Sequence, residues 1–137
     1  KVLLVDNSLF MRKIARGLLN NIGVKKILEA CDGVEALEII RTENPDIVLL
    51  DWEMPLLNGS EVVRIVRSPG VFPTPDLPII VLTAHSDAGR IAAAVKLGVN
   101  DFLCKPVSAK ALLERLTAIA VKPTRGVKSG IETPVVA

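Results

Sequence analysis

The sequence predicts an α/β protein: a doubly wound, five-stranded parallel sheet of (βα)5 form in a single domain. Two observations carry this expectation. Short β-rich runs alternate with helical patterns along the whole chain. Those runs are apolar almost without interruption, as strands are when helices cover both faces of a parallel sheet. The chain has 137 residues, enough for one core that buries roughly two-thirds of the unfolded surface.

The elements follow in order. VLLV (2–5) is a short buried strand that runs into Asp6 and Asn7. From Ser8, apolar Met11, Ile14, Leu18 and Ile22 recur at steps of three and four, which predicts an amphipathic helix. Ser8 suits its N-cap and Gly23 its stop. KKILEA (25–30) is a weaker strand. Asp32-Gly33 opens a helix carrying Val34, Leu37 and Ile40, which ends before Asn44-Pro45. DIVLL (46–50) is the strongest strand, and it too runs into a carboxylate, Asp51.

Met54-Pro55 through Asn58-Gly59 reads as loop, followed by a short helix with Val62, Val63 and Val66. The stretch SPGVFPTPDLP (68–78) is rich in proline and reads as an ordered or semi-rigid loop. PIIVLTA (78–84) is the fourth strand. A helix over roughly 87–97 is small on one side, at Ala92, Ala93 and Ala94. DFLC (101–104) is the fifth strand and leads into Lys105-Pro106. The last helix, about 108–120, presents Leu112, Leu113, Leu116 and Ile119. No repeat or low-complexity segment interrupts this order.

Half of the residues are hydrophobic and 23% are charged, a globular profile. No apolar run approaches the ~20 residues of a membrane span, and no charged-then-apolar leader is visible. The chain opens on Lys1 rather than Met, so a trimmed start is expected. The net charge of +2 comes entirely from residues 121–137, where Lys122, Arg125 and Lys128 face Glu132 alone. Residues 1–120 are therefore neutral, and 121–137 reads as a basic, Pro- and Gly-containing tail or linker. With a neutral domain, three Phe, one Trp and no Tyr, nucleic acid is an unlikely partner. Cys31 and Cys104 fit no metal-knuckle spacing and read as reduced, partly buried thiols of a cytoplasmic protein.

In a doubly wound sheet, ligands bind beyond the carboxyl ends of the strands. Those ends supply Asp6-Asn7, Asp51 with Glu53, Thr83-Ala84, and Lys105. Two close carboxylates repel unless a cation intervenes. Oxygen ligands of this kind suit Mg²⁺, and Lys105 would offset a further anion. A phosphoryl group is the natural candidate, since carboxylates act as nucleophiles in forming aspartyl phosphates. Nucleotide and flavin binding lack support, because no G-x-G-x-x-G follows the first strand.

Taken in order, VDNS, LLDWEMP, VLTA and DFLCKP closely resemble the receiver domain of two-component response regulators, particularly the chemotaxis type, over about residues 1–120. The resemblance implies a flavodoxin-like fold and a signalling switch rather than an enzyme in the ordinary sense. It implies that Asp51 accepts phosphate from the phosphohistidine of a sensor histidine kinase or phosphotransfer protein. Mg²⁺ would lie beside Asp6, Asp51 and the backbone carbonyl of Glu53. Thr83 would bond the phosphoryl oxygen, Lys105 would pair with it, and Phe102 takes the switch-aromatic place. Lys105-Pro106 matches a cis-bonded pair. Activation would reshape the face made by helix four, strand five and helix five, opening it to a downstream protein or to a dimer.

Asn7 stands where the family's second acid, a direct metal ligand in many members, is usual. Its amide oxygen brings no charge, so the expectation is weak or water-mediated contact and looser Mg²⁺. Glu53 and His85 fall where the family tunes phosphate lifetime; His85 alone reads more readily as a solvated loop residue. Trp52 is expected beside the site, partly exposed. A single strand-end Asp is an ordinary cap, a single Lys a surface residue, and a single Phe core. Two other functions stay open: a pseudo-receiver that binds proteins without taking phosphate, and a phosphatase of the haloacid dehalogenase type. The latter needs an acid two residues after its nucleophile, which Glu53 only approximates.

Overall fold

The strands are β1 (Val2–Val5), β2 (Ile27–Ala30), β3 (Ile47–Asp51), β4 (Ile79–Thr83) and β5 (Asp101–Cys104). They alternate with helices α1 (Leu9–Asn21), α2 (Gly33–Glu43), α3 (Gly59–Arg67), α4 (Ala88–Leu97) and α5 (Ala109–Val121). This computed structural model describes residues 1–54, 57–68, 70, 72, 75–83 and 88–121. All strand pairs are parallel, in the order β2-β1-β3-β4-β5. The expected flavodoxin-like (βα)5 sheet is therefore what forms.

The period-two alternation of side chains along each strand divides the core into two layers. Val5, Leu50 and Val81 face a cluster with Ala36 and Ile40 of α2, the valines of α3 and Ala94 of α4. Leu4, Leu49 and Leu82 face the opposite cluster with Leu19 of α1 and Leu112 of α5. Central strands buried on both sides need the continuous apolar runs seen in the sequence.

Helix boundaries follow the capping chemistry. Ser8 accepts from the Met11 amide at 3.2 Å, and Asp32 from the Glu35 amide at 2.8 Å. Asn58 and Glu61 form a reciprocal capping box on α3. At the other end of α2, Asn44 takes a left-handed φ of 52° and closes onto the Ile40 carbonyl.

Two helix faces differ from expectation. In α1 the fully buried side chain is Leu19, while Ile14 is 43% exposed; Ala15, Leu18 and Ile22 complete the inward stripe. In α2, Val34 lies outward and Gly33, Ala36 and Ile40 lie inward. Small residues carry these contacts because they let backbones approach. A Cβ on Gly33 would meet the Leu57 carbonyl oxygen at 2.5 Å. Residues 122–137, where the tail is expected, fall outside the described residues. Among the described residues, no helix is long and apolar enough to cross a membrane.

The end of the sheet opposite the strand tips is fastened by Arg67. Its guanidinium donates to the carbonyls of Gly98 (2.7 Å), Leu77 (2.7 Å) and Pro75 (2.8 Å), and to Asn100 Oδ1 (3.1 Å). Asn100 Oδ1 also accepts from the Ile79 amide at 2.8 Å, so α3, the start of β4 and the approach to β5 are tied together. The end of the proline-rich loop, at Pro75 and Leu77, is held by this clamp, while Pro69, Val71, Pro73 and Thr74 lie outside the described residues. Arg67→Met leaves these acceptors short of a donor and is expected to cost about 3 kcal/mol. Urea unfolding would show it as a lower midpoint with an unchanged slope; an unchanged midpoint would refute the clamp.

Candidate functional site

Strand register brings the two aspartates together. Val5 pairs with Leu50, so the next residues, Asp6 and Asp51, stand side by side at the tips of β1 and β3. These strands flank the place where the chain's order across the sheet reverses, which is where such folds open a crevice. Thr83 ends β4, and Lys105 follows β5, its amide bonded to the Thr83 carbonyl at 2.8 Å. Four strand ends thus deliver Asp6, Asp51, Thr83 and Lys105 to one rim, as the sequence pattern led us to expect.

The Lys105 ammonium lies between the two acids, 3.0 Å from Asp51 Oδ1 and 3.2 Å from Asp6 Oδ2. Asp6, Asp51 and Thr83 are all buried. The Lys105-Pro106 bond is cis. Asp6 Oδ1 accepts from the Ser8 amide at 2.9 Å, which fixes that carboxylate at the mouth of α1.

Burial pushes the Asp51 carboxyl above its ordinary value, and the charges of Asp6 and Glu53 push the same way. The hydrogen bond and charge of Lys105 pull it down without cancelling the rise. Burial alone would lower the pKa of Lys105, but Asp51 and Asp6 together outweigh it and raise the ammonium's pKa. Among the described residues, two carboxylates against one ammonium leave the crevice short of positive charge.

Thr83 does not point to an empty rim. Its hydroxyl donates to both carboxylate oxygens of Glu53, at 3.1 and 3.3 Å. Glu53 itself is exposed, two residues beyond Asp51. Trp52 is half-buried as expected and packs so closely on α3 that a Cβ on Gly59 would meet Trp52 Cε3 at 2.6 Å. Phe102 is half-buried against the first core layer. Asn7 is exposed beside Asp6. His85 and Ala84 lie outside the described residues. The thiols depart from expectation: Cys31 and Cys104 are both exposed, since one opens a turn after β2 and the other lies on the edge strand.

Sequence reasoning missed Arg12. Its Nη1 donates to the Asp6 carbonyl at 2.6 Å while Nε pairs with Glu29 at 3.1 Å, so it pins the turn that carries Asp6. Arg16 reaches the same Glu29 at 2.7 Å. The available signal was two arginines one helical turn apart on α1 opposite an acid on the neighbouring strand.

No group of three His, Cys, Asp or Glu side chains able to hold a metal occurs among the described residues. The donor set fits Mg²⁺ nonetheless, because that ion needs only one or two carboxylates plus carbonyl oxygen and water. Asp6 and Asp51 could hold it, and the unbalanced negative charge favours a cation.

The sequence model of the response regulator receiver domain matches residues 2–117. The chain belongs to that family. This receiver domain is 39% identical over 118 residues to a chemotaxis protein CheY homolog of Campylobacter jejuni, covering 85% of this chain and 88% of the relative. Among solved structures it resembles chemotaxis protein CheY4 of Vibrio cholerae, with a TM-score of 0.77, 29% identity and coverage of 86% and 96%. It also resembles the receiver domain of sensor histidine kinase PA1611 from Pseudomonas aeruginosa, with a TM-score of 0.76, 26% identity and coverage of 85% and 93%. That neighbour carries a magnesium ion coordinated in its active-site cleft. Receiver domains are signalling switches of two-component systems.

The raised Asp51 pKa has a consequence for stability. Between the ordinary value of 3.8 and the higher folded one, the folded receiver binds more protons than the unfolded chain. The contribution of Asp51 is therefore most favourable at acid pH and is lost as pH rises through the folded value. Asp51→Asn should stabilise the metal-free domain by about 1 kcal/mol at neutral pH, a gain that fades as pH falls toward 3.8. Urea titrations in a chelator across pH would test this; destabilisation at neutral pH would contradict it.

Proposed function

We propose that this receiver domain is a phosphoryl-accepting switch in which Asp51 is the acceptor. The observation that supports this best is the buried Asp51 carboxylate bonded to Lys105 beside Asp6, at the crevice of the sheet. An oxygen of Asp51 attacks phosphorus of a phosphohistidine on a sensor histidine kinase or phosphotransfer protein. The phosphorus–nitrogen bond breaks, its electron pair stays with the imidazole, and an acyl phosphate remains on Asp51. Bound Mg²⁺ would neutralise charge on the phosphoryl oxygens. Asp6, Asp51 and the Glu53 carbonyl would hold the ion. Asn7 adds at most a neutral oxygen.

Within the chain, Lys105 holds Asp51 in place and then balances the added negative charge. Thr83 donates its hydroxyl to a phosphoryl oxygen. Phe102, packed part-way against the core, would turn inward when Thr83 moves. The signal then passes to the face of α4, β5 and α5, where Val95 and Leu113 are exposed for a protein target or a second copy. Glu53 and His85 tune how long the phosphate lasts. In this reading the receiver domain comprises residues 1–120 and the basic tail is a linker.

Intact mass after incubation with acetyl phosphate and Mg²⁺ should show one added phosphoryl group, absent from Asp51→Asn. Trp52 fluorescence should change as Mg²⁺ binds. No addition to the wild-type chain would favour the pseudo-receiver, which Asn7 keeps in play. The charge argument also predicts that Asn7→Asp tightens Mg²⁺ about tenfold, or ~1.4 kcal/mol. An unchanged dissociation constant, measured by Trp52 titration, would place Asn7 away from the ion.

A further inference from the structure

We propose that Glu53 is a positioning residue that holds the Thr83 hydroxyl at rest, so that phosphorylation must exchange one anionic acceptor for another. This rests on the phosphoacceptor reading of Asp51 and goes beyond it, to what the phosphoryl group has to displace.

The geometry carries the inference. Thr83 is only 5% exposed, and a hydroxyl has a single proton to give. That proton is directed at the Glu53 carboxylate, with both oxygens within reach at 3.1 and 3.3 Å. A bond to an ionised acceptor is stronger than one between neutral groups. Glu53 follows Asp51 by two residues, on an exposed turn, and its charge is felt at the acceptor. An incoming phosphoryl group brings negative charge of its own and repels Glu53. It also needs the same Thr83 proton. Transfer to Asp51 and release of Thr83 from Glu53 are therefore coupled, and the latch slows entry into the active state while keeping the hydroxyl satisfied in its absence.

Two readouts test the latch. The first needs neither metal nor donor: the Thr83 methyl resonance of the resting domain, compared between wild type and Glu53→Ala. A clear shift is expected, and an unmoved resonance overturns the proposal.

The second is the rate of phosphorylation by acetyl phosphate with Mg²⁺. Glu53→Gln should speed it about tenfold, the scale of one charge-assisted bond. The gain should disappear when Thr83 is already Ala, because no hydroxyl is left to release. A gain that persists in the Thr83→Ala background would mean simple charge repulsion of the donor and would overturn the latch, as would no gain at all. If no variant takes up phosphate, the phosphoacceptor reading fails and the competition fails with it. The methyl shift then still tells the Glu53–Thr83 bond apart from that failure.

Discussion

Asp6 and Asp51 are like charges buried at the tips of neighbouring strands, a costly arrangement on any fold. It exists here because the register of β1 on β3 leaves no alternative. Each strand is packed on both faces, and a slip of one residue would turn every core side chain to the wrong layer. The pairing of Val5 with Leu50 is thus held by the whole core, and the carboxylates inherit their proximity from it. Lys105 reaches them from the far side of β4 because its own strand is locked to Thr83 in the same way. The ammonium bonds both acids yet leaves Asp51 still pushed toward protonation.

The two ends of the sheet divide the labour. At one end Arg67 gathers carbonyls from two segments, the loop before β4 and the turn after α4, and its loss would be felt in stability alone. At the other end negative charge is left partly uncompensated among the described residues, Glu53 is exposed and Phe102 is half-buried. Sites that bind charge give up stability that the rest of the domain supplies. A well-bonded base beneath a charge-imbalanced rim lets a local change in charge move a few side chains without loosening the fold.

Much of this was legible in the sequence for one reason: strand ends are legible. Asp6, Asp51, Thr83 and Lys105 each terminate or follow an apolar run, and parallel strands must place such residues on a common rim. Helix faces were harder to read. Ala15, Gly33 and Ala36 carry contacts that a search for large apolar residues passes over, while Ile14 and Val34 fit the period and face outward. Side chains that act across turns were least legible. Nothing local to Glu53 points to Thr83, thirty residues on, and Arg12 finds the Asp6 carbonyl only once α1 packs beside β2.

Asn7 and Glu53 are best understood as a pair. On the proposed reading, the rim has lost an acid on the metal side, where Asn7 follows β1, and holds one on the hydroxyl side, where Glu53 meets Thr83. A metal site with less charge binds its ion more loosely, so the ion depends more on the phosphoryl oxygens to complete its shell. A hydroxyl already engaged by a carboxylate yields only to a stronger acceptor, and a phosphoryl group held by an ion and by Lys105 is one. Both changes make the resting state harder to leave by a partial step. The ion, the phosphoryl group and the Thr83 proton must settle together, which sharpens the difference between the resting and phosphorylated forms.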